Sequence, residues 1–144
     1  MSSYRIREEK DNIFEIYNYD ILLSLIIKKE YSSEGISFFT DQNMSQQLGY
    51  MNRPSGYEIQ PHIHLPVHRE VTYTQEVLFI KKGKVKINFY DKDKNFIGEF
   101  VVSTGDCVFL ADGGHGFEFL EKSEIIEVKQ GPYSGENDKE RFKK

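Results

Sequence analysis

From Glu76 onward the sequence is written in short pieces of alternating polarity broken by glycine turns, and this leaves little choice of fold class. Glu76–Lys82 reads EVLFIKK, Gly83 follows, and then comes KVKINFYD. Across Val85, Ile87 and Phe89 the apolar residues alternate with Lys84, Lys86, Asn88 and Tyr90. A period of two sets one face of an extended strand against a core and the other in water. Lys82-Gly83-Lys84 reads as a tight turn and residues 91–95 as a polar hairpin loop, with a returning strand over 96–102. Gly105-Asp106 reads as a second turn, Cys107–Leu110 as a short strand, and Asp112-Gly113-Gly114 as a third turn. Two more strands are expected over 116–120 and 124–130. Short strands at this spacing predict an all-β barrel or sandwich.

Upstream the pattern is weaker. Ile21–Ile27 is apolar except for Ser24 and predicts a buried strand, with a helix as the alternative, because a short run of Ile and Leu does not decide. Residues 37–40 suggest a short aromatic strand, and 44–51 another. Residues 1–12 are charged and expected to fray. The chain therefore divides into an N-terminal arm (1–19), one β-domain (20–131) and a charged C-terminal tail (132–144). Eleven Phe and nine Tyr suit a β-protein. A net charge of −4 argues against a nucleic-acid partner. The longest apolar run falls far short of the roughly 20 residues that cross a bilayer. With no apolar segment near Met1 and a single cysteine, Cys107, a cytoplasmic protein without a disulfide is expected. Cys107, in a short apolar strand, is expected to be a buried small hydrophobe. A closed barrel leaves Ile21–Ile27 little room inside, and an exposed apolar strand associates, so a homodimer is expected.

The histidines carry the chemistry. His62, His64 and His68 lie close together, and His115 follows Asp112-Gly113-Gly114. On a strand, His62 and His64 would share one face, half of a metal site. Glu76 heads a strand whose same-face neighbours are Leu78 and Ile80, so its carboxylate needs a partner, a metal, or a wet strand end.

These residues together resemble the two motifs of the cupin superfamily. The first motif is matched by Gly56, His62-Ile-His64 and, later, Glu76 followed after six residues by Gly83; the second by Gly105, Gly113, Gly114 and His115. The resemblance covers about residues 56–119. It departs from the family in four places. Eleven residues separate His64 from Glu76 instead of three or four, Ala111 replaces the motif proline, His115 comes one residue early, and Phe119 stands where the motif has asparagine. The resemblance implies a jelly-roll β-barrel and one divalent transition metal, held by His62, His64, Glu76 and His115. His68 and Glu70, inside the longer segment, are alternatives to Glu76. Imidazoles with a carboxylate suit Fe, Mn, Ni, Co or Zn better than Ca or Mg.

Gln60, Arg69, Tyr73 and Gln75 flank the histidine cluster and predict a polar mouth that suits an oxygen-rich, anionic small molecule such as a sugar derivative or keto acid. His68 or Glu58 would then move a proton, as in an isomerase or epimerase; dioxygenation is the other chemistry the resemblance allows, and His115 is a further candidate base. A non-catalytic sugar-binding module and a structural metalloprotein are the competing expectations.

Overall fold

The computed structural model describes residues 4–144 and contains two units, one formed by residues 4–31 with 74–144 and the other by 32–73. The first unit carries β1 (Tyr4–Lys10), β2 (Ile13–Asn18), β3 (Ile21–Ile27), β6 (Glu76–Lys82), β7 (Lys84–Tyr90), β8 (Phe96–Ser103), β9 (Cys107–Leu110), β10 (Gly114–Phe119) and β11 (Glu124–Lys129). The second carries β4 (Gly35–Phe38) and β5 (Gly49–Asn52). No helix among the described residues is long and apolar enough to cross a membrane.

In the first unit a six-stranded sheet runs in the order β1-β2-β3-β9-β6-β11, and a three-stranded sheet in the order β10-β7-β8. All pairings are antiparallel. Ile16, Leu23, Ile26, Leu78, Ile80, Val108 and Leu110 of the first sheet share one core with Val85, Ile87, Phe89 and Val102 of the second. The all-β expectation holds in this form: two antiparallel sheets bury one face each against the other. The strands expected from residue 76 onward are all present. Strand β10 begins two residues earlier than its pattern suggested, so His115 lies within a strand and not at a hairpin tip.

Gly83 shows why the β6–β7 turn needs glycine. Its φ is +106°, and a Cβ there would lie 2.7 Å from the Lys122 carbonyl oxygen and would overlap Ser123 Oγ. The β8–β9 turn is fixed by Asp106, which is 1% exposed. Its carboxylate accepts from Lys28 Nζ at 2.5 Å, the Lys29 amide at 2.9 Å and the Ser103 amide at 2.7 Å. One side chain thus ties the end of β3 to the turn between β8 and β9.

Of the expected arm over 1–19, residues 1–3 lie outside the described residues and the rest depart from it. Residues 4–18 form β1 and β2 of the large sheet, because Ile13 and Ile16 are fully buried core residues and β1 pairs along β2. Arg5, Arg7, Glu8, Glu9 and Lys10 are exposed on an outermost strand, where charge discourages edge-to-edge pairing and does not signal disorder. Gly98 leaves room for the Tyr4 ring, which a Cβ there would overlap.

The premise of the homodimer expectation is also corrected. Strand β3 lies third in the sheet, between β2 and β9, with Leu23 to Ile27 buried, so no apolar strand is left over at that place. The C-terminal tail has no strand and one 3-10 turn, Gly135–Asn137, yet Phe142 packs on the Tyr90 ring at 5.0 Å.

In the second unit β4 and β5 form an antiparallel hairpin, Gly35 opposite Asn52 and Phe38 opposite Gly49. The connection between them is held by Thr40, whose hydroxyl bonds Gln47 Oε1 at 3.0 Å and accepts from the Leu48 amide at 3.1 Å. Residues 53–75 contain no strand, and 51–74 are exposed throughout.

Candidate functional site: a carboxylate and an imidazole across the sandwich

Glu76 is the first residue of β6 and faces the same way as Leu78 and Ile80, toward the core. Directly opposite on β11 are Lys129 (across from Glu76) and Glu127 (across from Leu78), so these two side chains share the core-facing side. His115 is the second residue of β10, opposite Phe89, and therefore lies on the inner face of the other sheet. The two meet across the sandwich: His115 Nε2 stands 3.1 Å from Glu76 Oε2, with the side chains 29% and 12% exposed.

The hydrogen bond from His115 holds the Glu76 carboxyl below the usual carboxylate range, against the opposing effect of burial. Glu127 hydrogen-bonds to Glu76 and shifts the other way, raised first by burial and then by the bond and charge of Glu76. Two neighbouring carboxyls are thus pushed apart, Glu76 toward the anion and Glu127 toward the acid, a division that suits a proton donor beside a proton acceptor. Lys129 Nζ lies 3.9 Å from both Glu127 Oε1 and Asp138 Oδ2. At the rim, the Gln75 amide donates to Gln130 Oε1 at 2.5 Å, and Gln75 Nε2 donates to the Ala111 carbonyl at 3.3 Å.

A pH dependence follows with a definite sign. A carboxyl whose folded pKa is depressed stabilises the fold above its unfolded pKa and loses that contribution as pH falls through the folded value. Urea unfolding is expected to show stability lost as pH drops below the ordinary carboxylate range, with a shallower loss in Glu76→Gln. Equal slopes in the two proteins would contradict a depressed Glu76.

The other expected site residues fall in the second unit. Glu58, His62, His64, His68, Arg69 and Glu70 all lie in the strandless, exposed stretch, as do Gln60 and Tyr73. The His-x-His pair is therefore not on a strand, yet its rings meet edge to face at 5.2 Å. His62 Nδ1 is 2.9 Å from the Gln60 carbonyl oxygen. A carbonyl can only accept, so Nδ1 is the donor in this contact.

Cys107 is partly buried and burial pushes its thiol up, consistent with a small hydrophobe and not a nucleophile. Lys81, Lys82, Lys84 and Lys86 around the β6–β7 turn form a charged face, with Lys86 2.8 Å from Glu118.

Glu127 and Lys129 were missed by sequence reasoning. Each lies among alternating residues of an ordinary strand, and only the β6–β11 register brings them beside Glu76.

Among the described residues no group of three or more His, Cys, Asp or Glu side chains is gathered as a metal ion would need. Glu76 and His115 offer one carboxylate oxygen and one imidazole nitrogen at mutual reach, two of the roughly three or four protein donors that such an ion takes. No family model, curated protein or solved structure matches the chain.

Proposed function

We propose that the protein is a cupin-type, metal-dependent enzyme acting on an oxygen-rich small molecule, and that Glu76 and His115 are the pair on which its chemistry turns. The observation that supports this is the 3.1 Å approach of His115 Nε2 to Glu76 Oε2, a polar contact at the edge of a core built from aliphatic side chains and Phe89. A carboxylate so largely withdrawn from water costs free energy unless it is paired or ligating, so its placement beside His115 points to use. When bound by this pair, a divalent transition metal would supply Lewis acidity toward a carbonyl or hydroxyl of the substrate.

The chain's own residues do the rest. Glu76, held as the anion, orients the His115 ring. Glu127, held toward the acid form, is the proton reservoir beside it. Lys129 adds a cation that favours an anionic substrate group. The apolar core behind the pair limits water.

The link between Glu127 and Glu76 favours a second, metal-free reading, in which His115 itself is the base and the two carboxyls relay the proton. Both predict exchange of a proton next to a carbonyl, which deuterium incorporation reads directly. Sugar phosphates, nucleotide sugars and keto acids incubated in D2O with the protein and each of Fe, Mn, Ni, Co and Zn, and with chelator, are expected to show exchange for at least one class. The exchange should fall by at least about 100-fold in His115→Ala. Exchange that survives chelation selects the metal-free reading. Absence of exchange, of oxygen uptake and of any ligand-induced rise in Tm across the whole panel would overturn the enzyme.

A further inference from the structure

The tail after β11 makes contacts through four residues, Asp138, Glu140, Phe142 and Lys144. Asp138 accepts from Thr74 Oγ1 at 3.3 Å and lies 3.9 Å from Lys129 Nζ, beside Glu127. Glu140 binds Lys94, in the β7–β8 connection, at 2.5 Å. Phe142 stands edge-on to Tyr90 with ring centroids 5.0 Å apart, and Lys94 Nζ lies 6.0 Å from the centre of the Phe142 ring. Beyond it, Lys144 Nζ is 3.4 Å from Glu118 on β10.

Phe142 also lies against β10 itself. A Cβ at Gly114 would fall 3.4 Å from Cζ of Phe142 and 3.3 Å from Cβ of Tyr90, so the missing side chain leaves the space that the two rings enclose. Gly114 pairs with Tyr90, and the next residue is His115. Tyr90, though placed on the polar side of its alternation, is only 6% exposed beneath this cover. Strand β10 is an outermost strand of a three-stranded sheet, hydrogen-bonded to β7 on one side only. Its outer face carries Gly114, Gly116 and Glu118, the last 2.8 Å from Lys86, and local opening of an outermost strand is easier than opening of the central ones.

We propose that residues 138–144 are a strap that clamps β10 against β7, and that Phe142 is a positioning residue for His115. The proposal rests on the Glu76–His115 pair as the working centre. The ring contact of Phe142 is with Tyr90. Phe142 acts on the backbone at Gly114 and so fixes the point from which the His115 side chain crosses to Glu76. Nothing in the tail's charge pattern would require a phenylalanine; the aromatic seat on Tyr90 and Gly114 does.

The test is made on the full chain by nitrogen-15 NMR of the histidine rings, with amide hydrogen exchange alongside. In the wild type the His115 ring N–H bonded to Glu76 is expected as a protected, downfield signal, assigned by its loss in His115→Ala. In Phe142→Ala this signal is expected to disappear and the β10 amides to exchange at least about 10-fold faster, while amides of β3 and β9 keep their rates. Phe142→Tyr is expected to restore both. A signal that persists in Phe142→Ala, or β10 exchange that does not change, overturns the strap. Faster exchange throughout the sheet in Phe142→Ala, without rescue by Tyr, would mark Phe142 as general packing and also overturn it. Absence of the signal from the wild type, with β10 fully protected, would instead overturn the Glu76–His115 pair and the positioning role with it.

Discussion

Asp106→Ala is expected to destabilise the first unit by about 3–5 kcal/mol, measured as a fall in the urea midpoint at pH 7 with the slope unchanged. The Asp106 carboxylate is 1% exposed and accepts from two backbone amides and one ammonium. Truncation leaves the Lys29 and Ser103 amides without their acceptor and Lys28, whose side chain is 22% exposed, without its counter-charge. An unsatisfied buried donor costs about 1–3 kcal/mol, and an orphaned partly buried charge adds to it. Asp106→Asn keeps one acceptor oxygen and should lose less. A loss from Asp106→Ala of under about 1 kcal/mol would show that water replaces these bonds and that the turn is not anchored by them.

Phe89→Ala is expected to cost about 3–5 kcal/mol, the range for removing a large aromatic from a closed core. Phe89 is 1% exposed at the centre of the three-stranded sheet, with Gly98 opposite on one side and His115 opposite on the other. The cavity would open beside the imidazole as well as in the core. Phe89→Ala should therefore perturb the His115 ring signal, whereas Val102→Ala, removing a smaller side chain that is also fully buried, should cost less and leave that signal in place. Equal effects of both on the ring signal would separate His115 from its strand neighbour.

How far the sequence foretold this molecule depends on where its periodicity was strong. From Glu76 to Lys129 the alternation and the glycine turns specify the strands, since each burying face offers one register. The same alternation, with the two motifs, also marked Glu76 and His115. The cupin resemblance put both around one metal, but the alternation by itself could not show their contact, because it joins strands of different sheets and needs the sandwich to be closed. Residues 4–10 were misread because a charged outermost strand and a frayed end share a composition. Ile21–Ile27 was correctly read as a strand, but its central place in the sheet depends on pairing with β9, some eighty positions along. His62 and His64 lie where no ladder imposes an orientation, so a two-residue spacing carries no face information there. Glu127 was illegible for the opposite reason: it looks like any solvent-facing residue of its strand until β6 is laid beside it.

The proposal that Glu76 and His115 are the working pair is tested most directly by metal content. The full chain, produced without a histidine tag or chelating resin and equilibrated in turn with Fe, Mn, Ni, Co and Zn, is analysed by mass spectrometry of the metals. The wild type is expected to retain about one divalent ion per chain for at least one of them. His115→Ala and Glu76→Gln should each lose most of it, while His68→Ala keeps it. Retention of the ion in both His115→Ala and Glu76→Gln, or failure of the wild type to bind any of the five, would contradict a metal centre at this pair.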